Sequence, residues 1–523
     1  MRVKLILPAL IEAAAPGFFG AGAAFAAEPL PRWDVRGRRP IKYSLFPPLG
    51  LAQLAACFDP NVDEVTVVDE HVERLSLDDA PELVGIEVYV TNARRAYAIA
   101  DHYRRRGARV VLGGLHVTSL PDEAARHADA IFLGPAEQTF PEFLRDLRAG
   151  APRSRYVSSS GRTLADVPPP RRDLIRRELY LVPNSIVVSR GCPHHCEFCY
   201  KDAFFEGGRS FYTRRLDAAL AEIDSLPGRH LYFLDDHLLG NARFARELFA
   251  ELRGMRRLFQ AAATVDSVLR GDLIERAAEA GLRSLFVGFE SLDPRALRGA
   301  HKYQNLGRDY EAVVRRLDAL GVMINGSFVF GLDGQTPDVF ERTVEWAATR
   351  GITTATFHIA TPYPGTAFYE RMAAAGRITT RDWDLYDTRH VVFEPLGMTA
   401  AELEAGYARA YREFYGYRNI WRAARAHATL ARSVKHLAYA VGWKRLEPAW
   451  DLAIQSRALS HARPLLEAVL ATVSPTASGA PPAAAQSAPL APPAAVMKRA
   501  ERSLPLLRQP GHDRGREQHQ QHE

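Results

Sequence analysis

Ser185-Ile186-Val187-Val188-Ser189-Arg190-Gly191-Cys192-Pro193-His194-His195-Cys196-Glu197-Phe198-Cys199-Tyr200 reads as an apolar strand (185–190) running straight into a loop with three cysteines. Three thiolates on one loop can hold three corners of a cubane iron–sulfur cluster and leave the fourth iron open to an outside ligand. Spacing of this kind also suits structural zinc, which would close with a fourth protein ligand such as His194 or His195. Context separates the two. Downstream, HLYFLDD, AAATVDS, SLFVGFE, MINGSFVFG and TATFHIA follow as further strands, separated by helical patterns such as DAALAEIDSL and LIERAAEAG. Six β/α units predict a partial (β/α)6 barrel, in which chemistry sits at the carboxyl ends of the strands. The cysteine triple stands at the first of those ends.

Upstream, VKLILPAL, EVTVVD, LVGIEVYV, ARVVLGG and AIFLG alternate with helical stretches such as AYAIADHYRRRG. This predicts a doubly wound, Rossmann-like α/β domain over residues 1–150. The polar, proline-rich stretch SSSGRTLADVPPPRRD lies in a linker, 151–180, and the barrel occupies 181–390. A helical extension, 391–472, opens on the capping-box sequence Thr399-Ala400-Ala401-Glu402 and places Leu403, Tyr407, Tyr411 and Phe414 on one face. It reads as a lid or cap. Its aromatic residues, with Tyr415, Trp421 and Trp443, either cover an apolar substrate or pack on the barrel. The Ala/Pro/Ser-rich and then polar end, 473–523, is expected to be a disordered tail.

The 523 residues are 47% hydrophobic and 24% charged, enough for more than one packed core. A net charge of +6 from 67 basic and 61 acidic residues, with arginine scattered rather than massed, gives no nucleic-acid footprint. Four cysteines, three of them in one loop, exclude a disulfide framework and favour a reducing, cytoplasmic setting. Cys57, in LAQLAACF, reads as a packed core residue. The N-terminus imitates a signal peptide, but Pro8, Glu12 and Pro16 interrupt its apolar run, and it reads better as a first strand followed by a Gly/Ala loop. No later apolar run has membrane-spanning length.

The motif C-x-x-x-C-x-aromatic-C after the first strand of a partial barrel resembles the radical S-adenosylmethionine superfamily. That resemblance implies a 4Fe-4S cluster on Cys192, Cys196 and Cys199, with S-adenosylmethionine on the open iron and a 5′-deoxyadenosyl radical formed on reduction. It places Phe198 near the adenine. Gly288-Phe289-Glu290-Ser291 resembles the family's Gly-x-Glu-Ser element near the cosubstrate, so Gly288, Glu290 and Ser291 are candidate binding residues. Where many members carry Gly-Gly-Glu for the methionine ammonium, this chain has Leu234-Asp235-Asp236-His237. Asp235 or Asp236 is the substitute, with a structural cap as the other reading. Thr361-Pro362-Tyr363-Pro364-Gly365-Thr366 resembles an element of cobalamin-associated members.

The first domain resembles the cobalamin-binding domain of that branch in Phe46-Pro47-Pro48-Leu49-Gly50-Leu51, Thr91-Asn92, Gly113-Gly114-Leu115-His116 and Gly134-Pro135-Ala136-Glu137. Thr91, Gly113, Gly114 and His116 are thereby candidate cobalamin contacts. The pattern departs from the wider cobalamin family, since the loop after the first strand, EAAAPGFFGAG, has no histidine and His71 in Asp69-Glu70-His71 lacks the accompanying glycine. The pattern is similar to that of the anaerobic cyclase of bacteriochlorophyll synthesis and of hopanoid methylases. It implies a cobalamin-dependent C-methyltransferase acting at an unactivated carbon of a small, apolar or polycyclic metabolite, with a flavodoxin- or ferredoxin-type electron donor. Cyclisation, oxidation or rearrangement with the same cofactors is the alternative. A methylthiotransferase would need a second cysteine triple, and a corrinoid or zinc sensor would make no radical. Tyr200, His358 and Tyr363 are candidate wall residues, or barrel packing.

Overall fold

The computed structural model describes residues 1–10, 45–208 and 210–445, the last four of these by backbone alone. The loop after the first strand, the side chain of Trp443 and the expected tail lie outside the described residues.

The first sheet has six parallel strands, β1 (Arg2–Leu7), β2 (Glu64–Asp69), β3 (Leu83–Glu87), β4 (Arg109–Gly113), β5 (Ala130–Leu133) and β6 (Arg155–Val157), in the order β2-β1-β3-β4-β5-β6. Its two faces bury separate cores. One packs Val84, Ile86, Val110 and Leu112 against Ala96, Ile99, Ala100 and Tyr103 of the helix Ala93–Arg105. The other packs Leu5, Val111 and Phe132 against Phe140, Phe143 and Tyr156. That helix forms because its apolar residues recur on one face without an interior Gly or Pro, and it ends two residues before Gly107, at φ 85°. This is the doubly wound arrangement, with its switch of direction between β1 and β3. The sixth strand falls inside the stretch read as linker.

The second sheet is built from β7 (Ser185–Ile186), β10 (His230–Phe233), β11 (Leu258–Thr264), β12 (Leu282–Glu290), β13 (Met323–Phe330) and β14 (Thr354–Ile359), all parallel and in sequence order. Between β7 and β10 stand β8 (Ser189–Gly191) and β9 (Phe211–Thr213), an antiparallel ribbon. The single strand expected over 185–190 is therefore split, and the cause is Asp235. Its carboxylate accepts from the N–H groups of Val188 and Ser189 and from the Ser189 hydroxyl, removing those donors from the ladder and turning the chain out of the sheet.

Within the described residues, the helical extension packs on the barrel rather than covering its mouth. Leu403, Tyr407, Ala410 and Phe414 of the helix Ala400–Phe414 join the barrel core. Tyr415 accepts from Ala355 N (3.0 Å) and donates to its carbonyl (2.8 Å), while Tyr411 does the same at Phe357 (2.9 and 3.1 Å). β14 is the open edge of the second sheet, and two tyrosine hydroxyls satisfy backbone groups that no neighbouring strand reaches. The capping box forms as expected, with Thr399 and Glu402 each accepting from the other's backbone N–H (2.8 and 3.2 Å). Trp421 stays 57% exposed.

Gly114, in the turn after β4, takes a backbone conformation that calls for glycine. At φ 118° and ψ −172° it occupies a region closed to side chains, and an added Cβ would stand 2.7 Å from the Val88 carbonyl. Gly114→Ala is expected to cost about 1–3 kcal/mol, read as a lower urea midpoint. Gly113→Ala, whose methyl meets only Phe132 at 3.4 Å, is expected to cost less.

Candidate active site

The cysteine loop hangs on contacts from both sides. Gly191, at φ 75°, lies so close to Ser210 that a Cβ would meet its carbonyl at 2.0 Å, and Cys192 N donates to the same carbonyl at 3.1 Å. Glu197, buried between the second and third cysteines, ion-pairs with Arg371 at 2.5 Å. Its carbonyl accepts from Phe368 N. Phe198 is half-buried against the cluster that contains Ala296, Ala300 and Phe368.

Burial pushes the Cys192 thiol up to about 11 and Cys199 up to about 12. Such thiols stay protonated at neutral pH unless a cationic group takes the proton's place, so the triple suits a metal centre better than a free nucleophile. Among the described residues no three His, Cys, Asp or Glu side chains converge tightly enough to hold a single metal ion. Three cysteine thiols on one loop are a donor set that suits an iron–sulfur cluster with one iron left open. His195 meets Asp202 at 3.1 Å and stays exposed, while His194 lies 3.8 Å from Asp266 and stacks on His237.

The two aspartates after β10 have separate positions. Asp235 is buried and committed to the backbone of Val188 and Ser189, which leaves it no room for an outside ammonium. Asp236 is exposed, accepting from Gly191 N at 3.0 Å and from the Tyr200 hydroxyl at 2.6 Å. At the end of β12, Glu290 has φ 63°, a left-handed conformation that side chains seldom adopt, and pairs with buried Lys302 at 2.7 Å. Gly288 makes room for that pair, since a Cβ there would come within 2.5 Å of Glu290 Oε1. Ser291 is buried and bonded to Asp293 N and the Gln335 amide, a structural position. Lys302 and Gln304, whose amide donates to Cys196 Sγ at 3.3 Å, were not singled out by sequence reasoning. Their signal, a lysine and an amide a dozen residues past the Gly-x-Glu element, has no periodicity to mark it.

The carboxyl edges of the two sheets meet. Glu137, beyond β5, pairs with Arg190 of β8 at 2.8 Å; the Glu137 side chain is buried and Arg190 half-buried. Gly365, beyond β14, lies against Ser119 of the first domain, where a Cβ would come within 3.0 Å of its hydroxyl. A Cβ on Gly134 would come within 3.2 Å of the Phe204 carbonyl. Tyr363 packs on the first domain's core, and His358 is half-buried with Nδ1 3.3 Å from the Thr388 hydroxyl. Thr91 lies half-buried in the 3₁₀ turn after β3, and Gly113 and Gly114 form the turn after β4.

His116 is corrected. It is 3% exposed, its Nε2 is 2.9 Å from Glu123 Oε1, and its ring packs edge-on against Trp383, whose indole N–H also reaches Glu123. Its ring is thus engaged by Glu123 and Trp383, tying the segment after the last barrel strand to the first domain. His71 is a loop residue, bonded to Asp69 at 2.8 Å and accepting from Leu10 N.

Two family models match: the Radical SAM superfamily over residues 186–347 and the B12 binding domain over 43–144. Bacteriochlorophyllide d C-12(1)-methyltransferase of Chlorobaculum tepidum is 30% identical over 385 residues, covering 70% of this chain and 82% of that protein. The chain belongs to the cobalamin-dependent radical S-adenosylmethionine methyltransferase family. Hopanoid C-2 methylase of Rhodopseudomonas palustris is 26% identical over 65% of this chain and 66% of its own. In fold, the chain is similar to the cobalamin-dependent S-adenosylmethionine radical enzyme OxsB, with a TM-score of 0.59 at 15% identity, covering 85% of this chain and 71% of that one. Membership brings a 4Fe-4S cluster, S-adenosylmethionine and cobalamin as the cofactors of this radical enzyme. The B12 family match begins after β1, although β1 is an inner strand of the sheet it describes.

Burial pushes the Asp235 carboxyl up to about 7 against its three donors. A carboxyl raised by folding favours its protonated form, so its contribution to stability is complete below about pH 4 and is lost as pH rises through about 7. Asp235→Asn is expected to flatten this decline and to lower stability at acid pH, checked by denaturation midpoints between about pH 4 and 8.

Proposed function

We propose that this enzyme transfers a methyl group to an unactivated carbon of a rigid, apolar, polycyclic small molecule held between its two sheets. The observation that carries the reading is the abutment of the two carboxyl edges through Glu137–Arg190, Gly365–Ser119 and Gly134–Phe204. In parallel α/β folds ligands bind at those edges, so a substrate between them lies within reach of both cofactors. When bound, the reduced cluster with S-adenosylmethionine supplies a hydrogen-abstracting radical and cobalamin supplies the methyl group.

The chain's own residues position these groups. Cys192, Cys196 and Cys199 would hold the cluster, and Phe198 would lie near the adenine. Asp236 takes the methionine ammonium with its exposed carboxylate, held in place by Tyr200 and Gly191 N. Gly288 and Glu290 shape the cosubstrate side, with Glu290 fixed by Lys302. Thr91, Gly113 and Gly114 line the cobalamin edge, where the glycine turn lets a flat ligand approach the backbone. Tyr89, 37% exposed and donating to Glu87, faces this edge with Tyr200, and both are substrate-wall residues. A flavodoxin- or ferredoxin-type protein supplies the electron, in the reducing cytoplasm. Among the described residues no helix is long and apolar enough to cross a membrane.

An apolar polycycle is favoured because the relatives named above act on a bacteriochlorophyllide and a hopanoid. Methyl transfer is favoured over cyclisation for the same reason. Anaerobic incubation of the loaded, reduced enzyme with methyl-labelled S-adenosylmethionine and a panel of tetrapyrrole and hopanoid acceptors is expected to give labelled product together with 5′-deoxyadenosine. Turnover to an unlabelled product would reject methyl transfer in favour of cyclisation, oxidation or rearrangement. Asp236→Asn is expected to retain iron while weakening S-adenosylmethionine binding about tenfold, measured by equilibrium dialysis, the loss of one charge-assisted hydrogen bond.

A further inference from the structure

The turn Tyr303–Asn305 lies against the cysteine loop, and the reading above leaves most of it unused. It is held at both ends. Lys302, 6% exposed, pairs with Glu290 at 2.7 Å. The Asn305 amide donates to the carbonyls of Gly288 (2.9 Å) and Phe289 (3.0 Å), and Tyr310 donates to Phe289 at 2.8 Å. Between these anchors the Gln304 amide donates to Cys196 Sγ at 3.3 Å. Cys196 is the one fully buried cysteine of the triple, so that bond acts with little competition from water.

We infer that Gln304, aimed by the turn that Lys302 and Asn305 anchor, donates a hydrogen bond to the cluster-bound sulfur of Cys196 and raises the reduction potential of the cluster. The inference rests on Cys192, Cys196 and Cys199 being the cluster ligands. Reduction adds one negative charge that spreads onto the sulfurs, so a donor at a sulfur stabilises the reduced state more than the oxidised one. The nearby Lys302 ammonium acts in the same sense. Gln304 is therefore a positioning residue for electron entry and does not touch substrate.

The test uses the full chain, loaded anaerobically with iron and sulfide and titrated potentiometrically against mediators, with the reduced cluster followed by electron paramagnetic resonance. Gln304→Leu is expected to keep about four irons per chain and to show about tenfold less reduced cluster at a fixed poise, equivalent to about 59 mV for a one-electron couple. Gln304→Glu keeps the side chain's shape, replaces the donor with a carboxylate and is expected to lower the potential further. If either variant holds its cluster and titrates within about twofold of the parent, the inference falls. Loss of iron from both variants would also overturn it, because the amide would then serve to retain the cluster. A parent chain that binds no iron, or binds zinc, would overturn the cluster assignment instead.

Discussion

The Arg190–Glu137 ion pair carries the constraint on which the arrangement depends. Arg190 sits two residues before Cys192, and Glu137 follows the fifth strand of the first sheet, so one contact fixes the cysteine loop against the edge of the other domain. The Glu137 side chain is buried while Arg190 keeps about a third of its side chain exposed, so breaking the pair would leave the Glu137 charge buried and uncompensated. Its role is to set position rather than to add net stability. With the pair in place, the two parallel sheets face each other by the edges at which such sheets bind ligands.

The cysteine loop is a region where local backbone preference gives way repeatedly. Asp235 takes donors out of the first barrel strand, Gly191 permits a close pass by Ser210, and Glu290 is held in a left-handed conformation by its pair with Lys302. Each departure would be unfavourable in isolation. Together they deliver three sulfurs, one exposed carboxylate on Asp236 and an amide donor to the mouth of a single barrel, while the phenylalanines Phe233, Phe259, Phe289, Phe328, Phe330 and Phe357 of its strands form a close-packed aromatic core.

Much of this was legible in the sequence because its signal is local. Alternating apolar runs and helical periods disclose both α/β domains, and three cysteines in one loop after a strand disclose the chemistry. What stayed hidden depends on contacts distant along the chain. Gln304 meets Cys196 from 108 residues away, and Trp383 meets Glu123 from 260. No local pattern distinguishes His116 as a ligand from His116 as a partner of Glu123, and Gly-Gly-Leu-His points to the first only by resemblance. The aromatic helix after the barrel reads equally as a lid or as packing. Only the open edge of the last strand, whose backbone Tyr411 and Tyr415 satisfy, decides for packing. Asp235 and Asp236 are adjacent and chemically identical, and their roles separate only through burial.

The central claim is that the cluster on Cys192, Cys196 and Cys199 and the corrinoid of the first domain face one another across the joined edges. Electron paramagnetic resonance of the anaerobically loaded chain, with the cluster reduced and the corrinoid as cob(II)alamin, measures this directly. The account predicts mutual dipolar broadening of the two signals, lost when any one of the three cysteines is replaced by alanine. Two sharp, independent spectra from a fully loaded chain would contradict it.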